Sequence, residues 1–346
     1  MELQFKHVHE LPTPDAMKAL YPINQETRVI KERRDQEIAD IISGKDDRLM
    51  LIIGPCSADR EDAVLDYIYR LAKIQDKVKD KIYIVPRIYT NKPRTTGDGY
   101  KGMASQPDPE KKPNMLEGLL SIRKLHMRAV EETGFTCADE MLYPENHAYL
   151  SDLLSYVAVG ARSVENQQHR LVASGIGIAC GMKNPTSGSI SVMLNSITAA
   201  QHPHTFVYRG WEVDTPGNPY AHAILRGFAN HHGESTPNYH IEDLELTYRL
   251  YHEKGGLQNC AAIIDTNHAN SNKDPFAQPR ICREVLYSMR YNDELRDFIK
   301  GFMIESYLED GAQPIGSGCY GKSITDPCLG WDKTENLILN LADWMP

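Results

Sequence analysis

Leu49-Met50-Leu51-Ile52-Ile53-Gly54-Pro55-Cys56-Ser57 is the stretch whose reading decides the fold of this 346-residue chain. Five apolar residues in a row, closed by Gly-Pro, read as a buried strand that stops abruptly. No G-x-G-x-x-G follows, so the phosphate-binding turn of a dinucleotide-binding open sheet is missing. Similar runs recur at 82–85, 136–139, 157–159, 178–182, 205–208, 261–264 and 302–304, with amphipathic stretches such as 62–78, 115–133 and 166–174 between them. Short apolar runs alternating with helical periodicity predict parallel strands joined by crossover helices. Eight of them predict an α/β chain folded as a (β/α)8 TIM barrel, with an open doubly wound sheet as the alternative.

Two places fit less simply. The run at 221–225 follows the link Thr215-Pro216-Gly217-Asn218-Pro219 and is read as part of a hairpin inserted near strand six. Pro86 stands where a central strand should donate a ladder bond, which predicts a strand end or a bulge. Upstream, residues 1–48 read as an N-terminal helical arm, leaving 49–346 for the catalytic barrel. Thr13-Pro14 has the cap and first-turn chemistry of a helix start, and Ile30, Ile38, Ile41 and Ile42 share a helix face that Gly44 would end. Such an arm is expected to contact another copy of the chain, to serve regulation, or to cover the barrel floor.

Composition narrows the partners. There are 47 acidic against 38 basic side chains, for a net charge of -9, and the isoelectric point is near 5.8. That balance argues against nucleic acid, which wants a basic face. No apolar run approaches the ~20 residues of a spanning helix, so no membrane partner is expected. The opening residues lack the apolar centre of a signal peptide. Seven scattered cysteines suggest a reducing cytoplasm rather than a disulfide framework.

In a barrel of this kind the site gathers at the C-terminal strand ends. Seven of those ends carry Cys56, Arg87, Asp139-Glu140, Arg162, Lys183, His268 and Glu305, and the hairpin run ends in Arg226. Regular placement of ionisable residues at seven ends is the clearest sign of an enzyme. Just past the second run, Asn91-Lys92-Pro93-Arg94-Thr95-Thr96 packs two cations and two hydroxyls around a proline, which suits a phosphate or carboxylate. Six cations (Arg87, Lys92, Arg94, Arg162, Lys183 and Arg226) suffice for two anionic substrates. Cys56, His268 and Glu305, with Asp326 from the following loop, make a mixed S/N/O donor set. That set suits a divalent transition metal (Mn, Fe, Co or Zn) and not a Ca or Mg cage. Singly, each has a plainer reading: a small buried thiol, a rim histidine, a partner for an arginine, a helix cap.

The assembled motifs resemble the type I 3-deoxy-D-arabino-heptulosonate-7-phosphate (DAHP) synthases, the class that includes the aromatic-amino-acid-sensitive enzymes. They stand as G-P-C-S at 54–57, K-P-R-T-T at 92–96, G-A-R at 160–162, I-L-R-G at 224–227, H-A-N-S at 268–271 and G-K-S-I-T-D at 321–326. The resemblance implies a C–C bond-forming transferase of the shikimate pathway that condenses phosphoenolpyruvate with erythrose 4-phosphate. It implies a metal held by Cys56, His268, Glu305 and Asp326, and phosphoenolpyruvate held by Arg87, Glu140, Gly160, Ala161, Arg162, Lys183 and Arg226. Lys92, Pro93, Arg94, Thr95 and Thr96 would bind erythrose 4-phosphate, with Lys183, Cys56 and His268 in the chemistry. A homo-oligomer, dimer or tetramer, and an aromatic amino acid feedback effector are also implied. An octulosonate-8-phosphate-type synthase, or an idle metabolite-binding barrel, are the rival readings. The chain departs from the family at Ala58-Asp59-Arg60, at Asn267 and around 141–146 and 176–178, which bears on regulation.

Overall fold

The structure is a computed structural model that describes residues 4–94 and 97–345. Eight strands form one parallel sheet: β1 Leu49–Gly54, β2 Ile82–Pro86, β3 Cys137–Glu140, β4 Leu154–Val159, β5 Ala179–Lys183, β6 Ala221–Leu225, β7 Ala262–Asp265 and β8 Ile299–Glu305. The order is β2-β1-β8-β7-β6-β5-β4-β3. A parallel bridge between Arg87 and Ala138, with the Ile88 N–H donating to the Ala138 carbonyl at 2.9 Å, joins the two ends. The result is the (β/α)8 barrel that the alternation predicts. Pro86 is the last residue of β2, opposite Ile53, and donation resumes at once from the Arg87 N–H to the Ile53 carbonyl.

Side chains alternate across each strand as the pleat requires. Met50, Ile52, Tyr83, Val85, Ile224 and Met303 fill the barrel interior, while Leu49, Leu51, Ile53, Ile82 and Ile84 pack outward under the helices. Helices Glu61–Val78, Met115–Thr133 and Gln167–Ser174 follow the expected amphipathic stretches. Gly54 marks a close approach: a Cβ there would lie 2.2 Å from the Arg87 carbonyl oxygen. A Gly54→Ala chain is therefore expected to lose about 1–3 kcal/mol, read as a lowered denaturation midpoint.

One strand assignment is corrected. The segment His204–Tyr208 does not enter the barrel; it pairs antiparallel with Trp211–Thr215, and the inserted hairpin is this one. The sixth barrel strand is Ala221–Leu225, buried at every position. The physical signal was a two-residue turn, Arg209-Gly210, with φ of 52° and 79° at its two residues. Both positive values suit the tight turn of a twisted hairpin. His222 interrupts the apolar run of β6. Its Nε2 pairs with the Tyr156 hydroxyl at 2.7 Å and its Nδ1 with the Tyr220 carbonyl at 2.8 Å, while burial pushes it down to about 4, so it stays neutral.

The arm carries two helices, Pro14–Leu20, capped by Thr13, and Gln25–Ile42. The second helix covers the barrel floor. Ile38, Ile41 and Ile42 join the interior cluster, each contributing about 1.5–3 kcal/mol on burial. Arg34 reaches further in. It donates to the Thr136 hydroxyl at 3.0 Å and the Ile84 carbonyl at 2.7 Å, between the rings of Tyr83 and Phe135. Gly44, with φ of 73°, follows the helix end.

Candidate active site and metal centre

Register places the site. Gly54 lies opposite Glu305, so Cys56, two residues on, stands over the end of β8. One donor atom each from Cys56, Glu305 and Asp326 lie within 4.8 Å of one another. Arg87, wholly buried, donates from Nη2 to Glu305 Oε1 at 2.6 Å and to the Cys56 carbonyl at 3.3 Å. Burial alone would raise Glu305, but Arg87, His268 and Lys92 outweigh it and hold the carboxyl at about 2. Burial and the neighbouring Glu305 push the Cys56 thiol up, so a bound cation would have to displace its proton.

His268 stands beside this triad rather than inside it. Its Nδ1 is 2.9 Å from Asp265 Oδ2, and its Nε2 is 3.9 Å from Glu305 Oε1. Burial keeps the imidazole below its ordinary value. A neutral ring that donates from Nδ1 to a carboxylate leaves the Nε2 lone pair free toward Glu305, the state a metal needs. Asp326 pairs with Lys273 at 2.8 Å through one oxygen. A thiol, two carboxylates and an imidazole with a fixed tautomer fit a divalent transition ion. Asp265 was not singled out as a site residue from the sequence. It also holds Lys183 at 3.2 Å, and His268 and Lys183 overcome its burial to keep it well below the usual carboxylate range. Asp265→Asn is expected to weaken metal affinity about 10–100-fold, measured by titrating the metal-free protein with Co²⁺.

The cations gather on the same rim, at different depths. Lys183 is buried, with its ammonium also 4.0 Å from Glu140. Arg226 is half-buried and Arg162 is exposed at the mouth, next to buried Gly160. A Cβ on Gly160 would meet a Glu140 oxygen at 2.4 Å, so glycine lets that carboxyl reach the chain after β4. Nε and Nη1 of Arg87 are buried and have no hydrogen-bond partner among the described residues, while the guanidinium stacks 3.8 Å from the Tyr89 ring centre. Buried donors without acceptors are costly, and these two suit an anionic ligand.

Lys92 is half-buried, its ammonium 6.0 Å from the Tyr89 ring centre; burial opposes its charge, but Cys56 and Glu305 outweigh that and raise it. Arg94 donates from Nε to the Tyr100 carbonyl at 2.7 Å. Thr95 and Thr96 lie outside the described residues.

An amide network that sequence reasoning missed sets the backbone under Arg226. Buried Asn184 accepts from the Arg226 N–H at 2.9 Å and donates to the Gly227 carbonyl at 2.9 Å. Asn238 accepts from the Gly227 N–H at 2.7 Å, and Asn270 donates to the Asp265 carbonyl at 2.8 Å. Asn184 directly after a strand-end lysine was the only local hint. Asn267 donates to Glu305 Oε2 and accepts from the Ser271 hydroxyl.

A parallel barrel whose strand ends join a metal-ligand cluster to a rim of cations, one of them a buried arginine with two open donors, suits an enzyme of phosphorylated or carboxylated small molecules. The profile of the DAHP synthetase I family matches residues 21–338. Phospho-2-dehydro-3-deoxyheptonate aldolase of Haemophilus influenzae is 35% identical over 350 aligned positions, covering 99% of this chain and 93% of the relative. The Tyr-sensitive enzyme of that name from Escherichia coli is 37% identical, covering 95% and 91%. The structure of the phospho-2-dehydro-3-deoxyheptonate aldolase of Francisella tularensis SCHU S4 superposes with a TM-score of 0.90 at 31% identity, covering 99% and 98%. The chain belongs to the DAHP synthetase I family.

Proposed function

We propose that the chain is a metal-dependent DAHP synthase, condensing phosphoenolpyruvate with erythrose 4-phosphate to DAHP and phosphate. The observation that carries this reading is Arg87, with two buried donors left open beside Glu305 and the convergent Cys56 and Asp326. Arg87, Lys183, Arg226 and, at the mouth, Arg162 take the phosphoenolpyruvate phosphate and carboxylate, with Glu140, Gly160 and Ala161 lining that side. Lys92, Pro93, Arg94, Thr95 and Thr96 take the sugar phosphate. Cys56, His268, Glu305 and Asp326 would hold the metal (Mn, Fe, Co or Zn), which when bound supplies a Lewis acid for the aldehyde oxygen.

The chain's own residues do the rest. The cations fix the methylene carbon of phosphoenolpyruvate against the aldehyde carbon, and proximity lowers the barrier to the new C–C bond. Water adds at C2, and phosphate leaves with cleavage of its C–O bond. Lys183, held by Asp265, is placed to give a proton to the new alkoxide.

The test is phosphate release from phosphoenolpyruvate under Mn²⁺ or EDTA, with four- and five-carbon sugar phosphates. Metal-dependent turnover with erythrose 4-phosphate supports the reading. Turnover only with arabinose 5-phosphate moves the chain to octulosonate chemistry, and none with either leaves an idle barrel.

An aromatic feedback effector is favoured by a cavity of 340 Å³ lined by Ile176, Ile178, Phe206, Tyr208 and Val213, with Lys18 of the arm. Calorimetric titration with Phe, Tyr and Trp identifies it or shows no binding. Exposed Phe5 and Val8 on the arm and Val207 and Trp211 on the hairpin support a homo-oligomer, with 1–48 as a contact and regulatory arm on the 49–346 barrel. Seven free cysteines support a cytoplasmic site of action; no described helix is long and apolar enough to cross a membrane.

A further inference from the structure

We propose that Asp139 is a positioning residue for the sugar phosphate: its carboxyl fixes the root of the loop carrying Lys92 and Arg94 without itself touching the ligand. The proposal rests on reading that loop as the sugar-phosphate site.

Asp139 is buried near the end of β3, and both of its oxygens are engaged. Oδ1 accepts from the Thr90 N–H at 2.9 Å and from the Glu140 N–H at 2.7 Å, while Oδ2 takes the Thr90 hydroxyl. Two of the three donors thus belong to Thr90, the residue from which the loop departs. Backbone pairing between the second and third strands ends at the bridge of Arg87 with Ala138 and the bond from Ile88. Beyond that point a side chain continues the ladder.

The far end of the loop closes on the same residue. The Thr90 carbonyl accepts from the Ala104 N–H at 3.0 Å, and the Lys92 N–H donates to the Lys101 carbonyl at 3.0 Å. A Cβ on Gly102 would lie 2.3 Å from the Thr90 oxygen, so the neck is tightly packed. Where Thr90 sits therefore sets where Lys92 and Arg94 sit.

Glu140 depends less on this carboxyl. It pairs with Ala158 in the sheet, and the Met141 N–H donates to the Ala158 carbonyl at 2.8 Å. Loss of the Asp139 carboxyl should therefore fall on the loop and spare the phosphoenolpyruvate side. Among the described residues no lysine or arginine pairs with Asp139, and its hold on Thr90 is hydrogen bonding to neutral donors.

The experiment compares steady-state constants for both substrates in the full-length, metal-loaded protein and in Asp139→Ala, Asp139→Asn, Thr90→Val and Arg94→Ala. Asp139→Ala is expected to raise the KM for erythrose 4-phosphate about tenfold or more, with the phosphoenolpyruvate KM nearly unchanged. Amide exchange across 89–101 should quicken while 49–54 stays protected. Asp139→Asn keeps an acceptor for the two N–H groups and offers its own N–H to the Thr90 oxygen, so it should return most of the loss. Thr90→Val removes only the hydroxyl link and should give a smaller rise, of about fivefold, in the same constant; it also carries the test if Asp139→Ala does not fold. A raised sugar KM in Arg94→Ala with no change in Asp139→Ala or Thr90→Val overturns the proposal alone. So does an equal rise for both substrates. An unchanged sugar KM in Arg94→Ala overturns the sugar-phosphate reading and the proposal with it.

Discussion

Arg87→Ala is expected to lose both stability and activity, for separable reasons. Arg87 and Glu305 form a buried pair at 2.6 Å, with side chains 1% and 0% exposed. Removing one partner strands a buried charge, which costs about 3–5 kcal/mol. Glu305 lies near 2 in the folded chain, below its ordinary 4.5. A depressed carboxyl contributes stability that is fully present above its unfolded value and is lost as pH falls through the folded one. The wild type should therefore lose that share between about pH 4.5 and 2, and this acid limb should flatten in the variant. Denaturant midpoints across that window check the sign. For activity, the two open donors of Arg87 would each give about 1.5–3 kcal/mol to a charged ligand. Their loss should cut kcat/KM for phosphoenolpyruvate about 10²- to 10⁴-fold. Arg87→Lys keeps Glu305 paired with a single point charge, so it should recover stability before activity.

Cys56→Ala should separate the metal from the fold. Its side chain is small and buried, and its thiol is protonated without metal, so truncation costs the free protein little beyond a cavity. Metal binding should suffer far more. Loss of a direct ligand is expected to exceed the roughly 10–100-fold that an outer hydrogen-bond partner costs. With Co²⁺, the near-ultraviolet band from sulfur to metal should vanish, and phosphate release should fall to its level in EDTA. An intact band in the variant would assign the thiolate ligand to another cysteine, with Cys328 first in line because its Sγ lies 3.3 Å from the Cys56 amide nitrogen.

Much of this was legible because a parallel barrel repeats one physical unit. Buried apolar runs with helical periodicity between them give the strands, and the strand ends give the polar residues that face solvent together. The sixth strand was misread where that contrast failed. His222 broke its apolar run, while Thr205–Tyr208 offered β-branched and aromatic residues typical of either kind of strand. Burial on every side against burial on alternate sides separates the two, and that is a tertiary property.

The site shows the same division. Cys56, Arg87, Lys183 and Glu305 could be found from their places after strands. Asp265 could not be ranked above its neighbours, because its importance lies in holding both His268, three residues on, and Lys183 at the end of β5. The amides of Asn184 and Asn238 carry no motif, and Asn270 stands inside H-A-N-S without a role assigned to it there; together they satisfy one another's backbones once three strand ends are adjacent. Lys92 lies in a recognisable anion motif, yet the groups that raise its charge are Cys56 and Glu305, which only the fold brings near.

The helix beneath the barrel has a consequence for how the chain is built. Gln25–Ile42 precedes every strand, yet it packs against β4 and β5, whose residues come more than a hundred positions later. During synthesis it must wait with Ile38, Ile41 and Ile42 uncovered until those strands exist. Contacts so distant in sequence form slowly, because long loops must close before burial rewards them. The arm is therefore made before the barrel strands and is among the last parts to find its place. Cutting the chain at residue 48 would not release a self-sufficient barrel; it would leave the interior ends of Met50 and Tyr83 open to water during the slowest phase of folding, when aggregation competes most strongly.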